Sequence, residues 1–422
     1  MKHSHRLPLV RAFFEEQYHR SRRLASAAVS VFFLGWSLVE LPIHRLRFTF
    51  FVSVLGFALS AIDAVRQVKE LRRWPMDVGG ARVRQLRTDQ LAEVTIADGL
   101  VQSGYEILRD HERPLLTSRA VNSLLAKGAD GALRVQRRLF DSSHVHATAR
   151  EKLISLKRES GAAVFDGAKV RLCDDLRVQT SDTLEPVRLE RTTYFRTLVT
   201  NDSVNYEVFL DGRHSPVYSG RDTCFPGGVV ASLSESDASN QIGASTLAIS
   251  ADNRLVIMRS GARSAVEVGR LASSGSGSAD WKDVEAQHTI AAFARRVALR
   301  ELTEELGINP ADVLAFGVIG YGRFIDRGGK PEFFCVARLS LPYSKLKIRR
   351  PERMYMERSE SPPLDDSESV GRALQLAVRK LLQDSEELSA SLYWNLRLVE
   401  DCDTADLDEI LGAQMPLGPS VM

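Results

Sequence analysis

The stretch Arg300-Glu301-Leu302-Thr303-Glu304-Glu305-Leu306-Gly307-Ile308 constrains this chain more than any other. On a helix, carboxylates at i, i+3 and i+4 share one face, while Leu302 and Leu306 take the adjoining one. Such a helix buries one side and holds three acids on the other. Gly307 stands where a left-handed C-cap would stop it. Clustered carboxylates repel one another unless a cation lies among them, and hard oxygen donors suit Mg²⁺ or Mn²⁺. Arg300 can hold one carboxylate by a charge-assisted hydrogen bond. A plain solvated acidic face has a similar composition. The arginine before the acids and the glycine after them argue for a built site.

These nine residues fit, at every fixed position, the second half of the Nudix box, G-x5-E-x7-R-E-U-x-E-E-x-G-U. On them the chain resembles the Nudix superfamily. The first half departs from the pattern: Ala292 stands at the glutamate and Ala286 at the glycine, so the fourth, supporting acid is missing. The resemblance implies an α/β fold class, with an α/β/α sandwich around a mixed sheet at the C-terminal end. It implies Glu301, Glu304 and Glu305 as metal ligands, Arg300 and Glu301 as catalytic residues, and Mg²⁺ (or Mn²⁺) as cofactor. Glu301 is a ligand or a general base, and the sequence leaves both open. The implied reaction cleaves a diphosphate linked to another group. Ala286 and Ala292 leave open whether hydrolysis is retained, and no nucleotide-binding residue is singled out.

The N-terminal end imposes a second constraint. Residues 1–23 are basic, with Lys2, Arg6, Arg11, Arg20, Arg22 and Arg23 against Glu15 and Glu16. Two apolar runs follow, Leu24 to Ile43 and Phe48 to Val65, separated by a short break containing Pro42, Arg45 and Arg47. Each approaches the ~20 residues of a membrane-spanning helix. A cleaved signal peptide has a shorter apolar core and no second run. A soluble hairpin would be amphipathic, whereas both runs are apolar on every face. Glu40 and Asp63 lie near the run ends, where water reaches them. Basic residues before the first run and after the second place both termini in the cytoplasm, predicting a multi-pass membrane protein.

The middle of the chain reads as soluble and mixed α+β. Helical spacing covers 84–102 and 118–139. Strand-like alternation covers 163–177, the start of 187–199 and 204–210, and Tyr194 to Leu198 reads as a turn of helix. Arg188, Arg191 and Arg196 beside Tyr194 and Phe195 suit either a phosphate-and-base contact or solvated arginines around a core aromatic pair. His144 and His146 flank Val145 without a third ligand and read as a surface pair. Ser232 to Asn240 is small and polar, a predicted linker. Cys173, Cys224, Cys335 and Cys402 are scattered, as in a reducing compartment rather than a disulfide framework. A formal charge of +2 excludes a strongly basic nucleic-acid binder.

The C-terminal part predicts a hairpin over 244–258, then a loop over 259–278. The Ser273–Ser278 stretch of that loop is a phosphate approach or a flexible connection. Residues 279–287 are an enlarged loop or an extension of the helix that covers 289–306. Strands over 313–324 and 332–341 come next, and helices over 367–382 and 388–399. The predicted organisation is a basic segment 1–23, a transmembrane hairpin 24–65, a connecting or sensor region 66–241, a Nudix domain 242–400 and a tail 401–422.

Two functions follow. Two membrane helices before a cytosolic Nudix domain resemble the effectors of bacterial cyclic-oligonucleotide antiphage (CBASS) systems. That resemblance implies that the cytosolic part senses a cyclic nucleotide and the membrane part damages the cell, causing abortive infection. The alternative is a membrane-tethered, Mg-dependent Nudix hydrolase. Expected partners are a nucleotide or cyclic oligonucleotide and the lipid bilayer, with homo-oligomers through the membrane helices and no nucleic-acid polymer.

Overall fold

The structure, a computed structural model, describes residues 80–87, 93–159, 166–260, 269–346, 356–358 and 362–412. The apolar runs at 24–65 and the basic segment before them lie outside the described residues. Among the described residues no helix is long and apolar enough to cross a membrane. Of the described residues, those within 80–154 and 166–412 form one compact unit, and 155–159, the end of the Ala147–Glu159 helix, group outside it.

The main unit is mixed α/β and carries several sheets. Its strands used below are β1 (Glu106–Leu108), β2 (Leu115–Thr117), β3 (Leu133–Leu139), β4 (Ala168–Leu172) and β5 (Val187–Thr193). They continue with β6 (Gly243–Ile249), β7 (Leu255–Val256), β8 (Gly275–Ser278), β9 (Val313–Phe324) and β10 (Lys330–Leu339). The helices are α1 (Arg119–Ala126), α2 (Ile290–Leu306), α3 (Val370–Leu382), α4 (Ala390–Asp401) and α5 (Thr404–Gly412).

The central sheet has seven strands in the order β7-β6-β10-β9-β2-β1, with β8 also on β6. β6 and β10 run parallel, and the other pairings are antiparallel. The alternation of β6 and β10 sorts their side chains onto two faces. Ala244, Phe333 and Cys335 meet Phe293, Ala294 and Val297 of α2. Leu247, Ile249, Phe334 and Val336 meet Leu374, Leu392, Trp394, Leu398 and Leu407 of α3, α4 and α5. The sheet therefore has α2 in one core, shared with Val121, Leu124 and Leu125 of α1, and α3, α4 and α5 in the other. Burying a large apolar side chain stabilises by about 1.5–3 kcal/mol, so the first of these cores, with Leu302 and Leu306 buried beyond it, fixes the position of α2.

α2 follows its sequence pattern closely. Its apolar residues at 290, 293, 294, 297, 298, 302 and 306 are buried. Thr289 precedes it as N-cap, and Gly307 ends it in the left-handed conformation at φ 65°. β9 and β10 form the expected hairpin through the turn at Ile325–Gly329, although β10 begins two residues before the predicted start.

Several expectations fail. The 84–102 helix is instead a strand at Ala81–Gln85 and a short helix at Asp98–Gln102. The 118–139 helix stops at Ala126; Gly128 takes a positive φ, and the chain re-enters as β3. Apolar spacing over a window that holds both a short helix and a short strand does not separate the two periods. The tail expected at 401–422 contains α5, which buries Leu407 and Leu411 against α3 and the sheet. The predicted linker at 232–240 holds buried Leu233, Ala238, Ser239 and Asn240. Its polar groups are used internally: Ser239 Oγ lies 2.6 Å from Thr192 Oγ1, and the Asn240 amide donates to Asn201 Oδ1 at 2.7 Å. Composition alone cannot separate such satisfied polar residues from a solvated run.

A second sheet, β3-β5-β4, comes from the expected connecting region. The same region also supplies β1 and β2 to the central sheet, across the boundary expected at 241. Buried Arg323 of β9 binds Asp175 at 2.9 Å and donates to the Ala231 carbonyl at 3.0 Å, joining the two parts again.

Candidate acidic site on the central helix

Arg300 is the hub of the site. Its Nε donates to Asp283 Oδ1 and Oδ2 at 3.0 and 3.1 Å, and its Nη2 to Oδ2 at 2.8 Å. Nη2 also donates to the Ser278 carbonyl at 3.0 Å. Nη1 donates to Glu301 Oε1 at 2.8 Å and to Glu304 Oε2 at 3.2 Å. This two-sided, charge-assisted bonding suits the rigid fork of a guanidinium and not an ammonium. Burial opposes the charge on Arg300, but Glu301 and Asp283 more than offset it and hold its pKa well above the ordinary value.

The three glutamates differ in setting. Glu301 keeps 15% of its side chain exposed, and burial pushes its carboxyl up to about 7; Arg300 opposes that rise and Glu304 adds to it. Glu304 is half-exposed, with 44% of its side chain accessible. Glu305 is buried, and its Oε2 accepts the Ser276 amide at 3.1 Å. The helix thus places the predicted residues on one stretch of surface, but it faces Glu305 to β8 and gives Glu301 and Glu304 to Arg300.

The serine- and glycine-rich segment predicted as a loop is β8, paired with β6 from Gly243↔Ser278 to Thr246↔Gly275. It packs directly on α2. A Cβ at Gly275 would stand 2.5 Å from Leu302 Cα, and one at Gly277 would stand 2.2 Å from Glu301 Cδ. Neither side chain fits without displacing a neighbour, so these glycines let the strand backbone reach the acids. The Ser276 amide then points at a carboxylate of this chain.

Sequence reasoning missed the acid that anchors the hub. Asp283 lies in the short 3₁₀ turn Trp281–Val284, in the segment expected as an enlarged loop or a longer helix, and it is fully buried. Its Oδ2 accepts the Asp280 amide at 2.9 Å. Asp280 in turn binds Lys169 of β4 at 2.6 Å. Burial would raise the Asp280 carboxyl, but Lys169 holds it below its usual range. The signal was present as Asp280 and Asp283 in D-x-x-D spacing, a capping pattern for a turn. Nothing in the sequence said which cation the second aspartate would meet.

Glu301, Glu304 and Glu305 are hard oxygen donors of the kind a divalent cation takes, but Arg300 engages Glu301 and Glu304, and the Ser276 amide engages Glu305. Among the described residues, no three His, Cys, Asp or Glu side chains converge as a metal cage.

The other candidates are structural. Arg188 is bound by Asp174 at 2.7 Å, Arg196 donates to the Phe140 carbonyl, and Phe195 is buried. His146 Nδ1 accepts the Thr148 amide, and His144 lies edge-on to Phe140. All four cysteines are free, and Cys173, Cys224 and Cys335 are buried.

No protein-family model matches this sequence, and no curated protein matches it. Among solved structures, DR0079 from Deinococcus radiodurans aligns with 15% sequence identity over 37% of this chain and 81% of its own, at a TM-score of 0.25. A score that low bears on neither fold nor function.

Proposed function

We propose that this chain is a membrane-anchored effector whose body is a Nudix-type α/β/α sandwich used as a nucleotide receptor. The ligand class is a cyclic oligonucleotide made on phage infection. The output is damage by the N-terminal hairpin to the bacterial inner membrane, ending in abortive infection. The observation that carries this reading is the chain of ion pairs leading away from the acids. Glu301 and Glu304 meet Arg300, Arg300 meets Asp283, and the turn of Asp283 presents Asp280 to Lys169. A ligand that displaces Arg300 therefore acts on the region lying in sequence between the site and residues 24–65. Ligand binding shifts such an equilibrium only through its different affinity for the two states. Ala286 and Ala292 in the first half of the box suit a fold kept for binding.

A second reading, a Mg²⁺-dependent Nudix hydrolase of a nucleoside diphosphate linked to another group, is favoured by Glu301. A carboxyl raised to about 7 lies in the range of a general base. One experiment separates the two readings. The purified full chain is titrated calorimetrically with cyclic di- and trinucleotides, and the same preparation is assayed for Mg²⁺-dependent release of nucleoside monophosphate from a diphosphate panel. Binding without turnover supports the receptor. Turnover with no cyclic-nucleotide heat at micromolar concentration overturns it in favour of the enzyme.

A further inference from the structure

We propose that the exposed strand β3, with Arg134, Arg137 and Arg138, docks on anionic phospholipid headgroups. β3 is an edge strand, paired on one side with β5. From Arg134 to Leu139 every residue is exposed, unusual for a strand with two potential packing faces. Val135 and Leu139 are 41% and 42% exposed, among the few large apolar side chains so exposed in the described residues. Arg191 on β5 is the register partner of Leu139 and is exposed too.

The neighbouring arginines show the contrast. Arg188 is matched by Asp174 and Arg171 by Glu190. Among the described residues, no carboxylate pairs with Arg134, Arg137, Arg138 or Arg191. The acids nearest in sequence are engaged elsewhere: Asp130 accepts the Gly131 and Ala291 amides, Asp141 accepts from the Ser143 amide and hydroxyl, and Glu190 binds Arg171. Four unmatched guanidinium groups on two adjacent strands repel one another, and an opposite charge from outside relieves that.

The side chains between them select the partner. Arginine binds phosphate oxygens in a forked geometry, and Val135 and Leu139 are placed to enter the boundary between headgroups and acyl chains. A single-stranded nucleic acid would need aromatic platforms, and β3 (Leu-Arg-Val-Gln-Arg-Arg-Leu) has none. A second copy added antiparallel to this edge would set arginine against arginine. This surface extends the membrane reading but does not require residues 24–65 to span a bilayer.

Phenylglyoxal labelling of the full chain, read residue by residue by mass spectrometry, tests it, with exposed Arg213 as the internal reference. Each basic residue near an anionic surface is worth about a factor of five in binding, so three of them give roughly a hundredfold preference for charged vesicles. Arg134, Arg137 and Arg138 should be protected by vesicles containing phosphatidylglycerol, not by phosphatidylcholine alone, and high salt should remove the protection. V135S/L139S should weaken it. R134E/R137E/R138E should leave the melting temperature unchanged and expose Arg191 to label in charged vesicles. Co-flotation with phosphatidylcholine vesicles reports the apolar runs separately, so either idea can fail alone. Equal labelling with and without phosphatidylglycerol overturns the proposal. Protection by RNA or by an acidic peptide, but not by vesicles, also overturns it and assigns the surface to that partner.

Discussion

Asp283 is the residue whose removal should show how this site is held. In the Asp283→Ala variant, Arg300 loses three of its short contacts but keeps Glu301, Glu304 and the Ser278 carbonyl. Deleting one member of a buried ion pair costs about 3–5 kcal/mol. Arg300 keeps two carboxylates and is 13% exposed, which brings its share below that range, to about 2 kcal/mol. The Asp280 amide also loses its acceptor, at a further cost of about 1 kcal/mol for a broken cap. The total is near 3 kcal/mol, and Asp283→Asn, which keeps an acceptor of the same shape, should lose about half of it. In a domain of this size each kcal/mol lowers the melting temperature by roughly 2–4 °C. Thermal unfolding followed through Trp281 and Trp394 should fall by about 6–12 °C for alanine. A variant that melts within a degree of the parent would show that Arg300 does not depend on Asp283.

The two β8 glycines should part company. Gly275→Ala drives a methyl into the Leu302 backbone, which cannot yield, and should cost about 1–3 kcal/mol in urea titration. Gly277→Ala meets the carboxylate of Glu301, a side chain that can turn aside at the expense of its contact with Arg300, so it should cost less stability than Gly275→Ala yet abolish whatever binding or turnover Glu301 supports; equal stability losses would contradict this. Glu301 also predicts a pH effect. Its folded carboxyl at about 7 lies above the unfolded value of about 4.3, so the folded state holds the extra proton between them. Stability should then be greatest below pH 4 as far as this group is concerned. It should fall by up to about 3 kcal/mol as pH rises through 7, and Glu301→Gln should remove that slope. Mn²⁺ should raise the melting temperature reversibly with a chelator, and Glu304→Gln should reduce the rise; no shift in the parent would rule out a cation at these glutamates.

The sequence by itself determined α2 and its cap. The recurrence of apolar residues at 290, 293, 294, 297, 298, 302 and 306, closed by Gly307, fits one conformation with one buried face. It likewise fixed the β9–β10 hairpin, where long runs of β-forming residues flank a turn with two glycines. Those are local matters, decided by residues close together along the chain. Tertiary structure decided the rest. The serines and glycines of β8 carry no strand signal, and they form one because β6 offers an edge and α2 leaves no room for side chains. Buried Ser239 and Asn240 read as part of a linker over 232–240 because a hydrogen bond to Thr192 or Asn201 leaves no trace in local composition. The pairing of Arg300 with Asp283 spans seventeen residues through a turn and a helix. Charge alone would have allowed that arginine many partners, and only the packing of the Trp281–Val284 turn against α2 chose one.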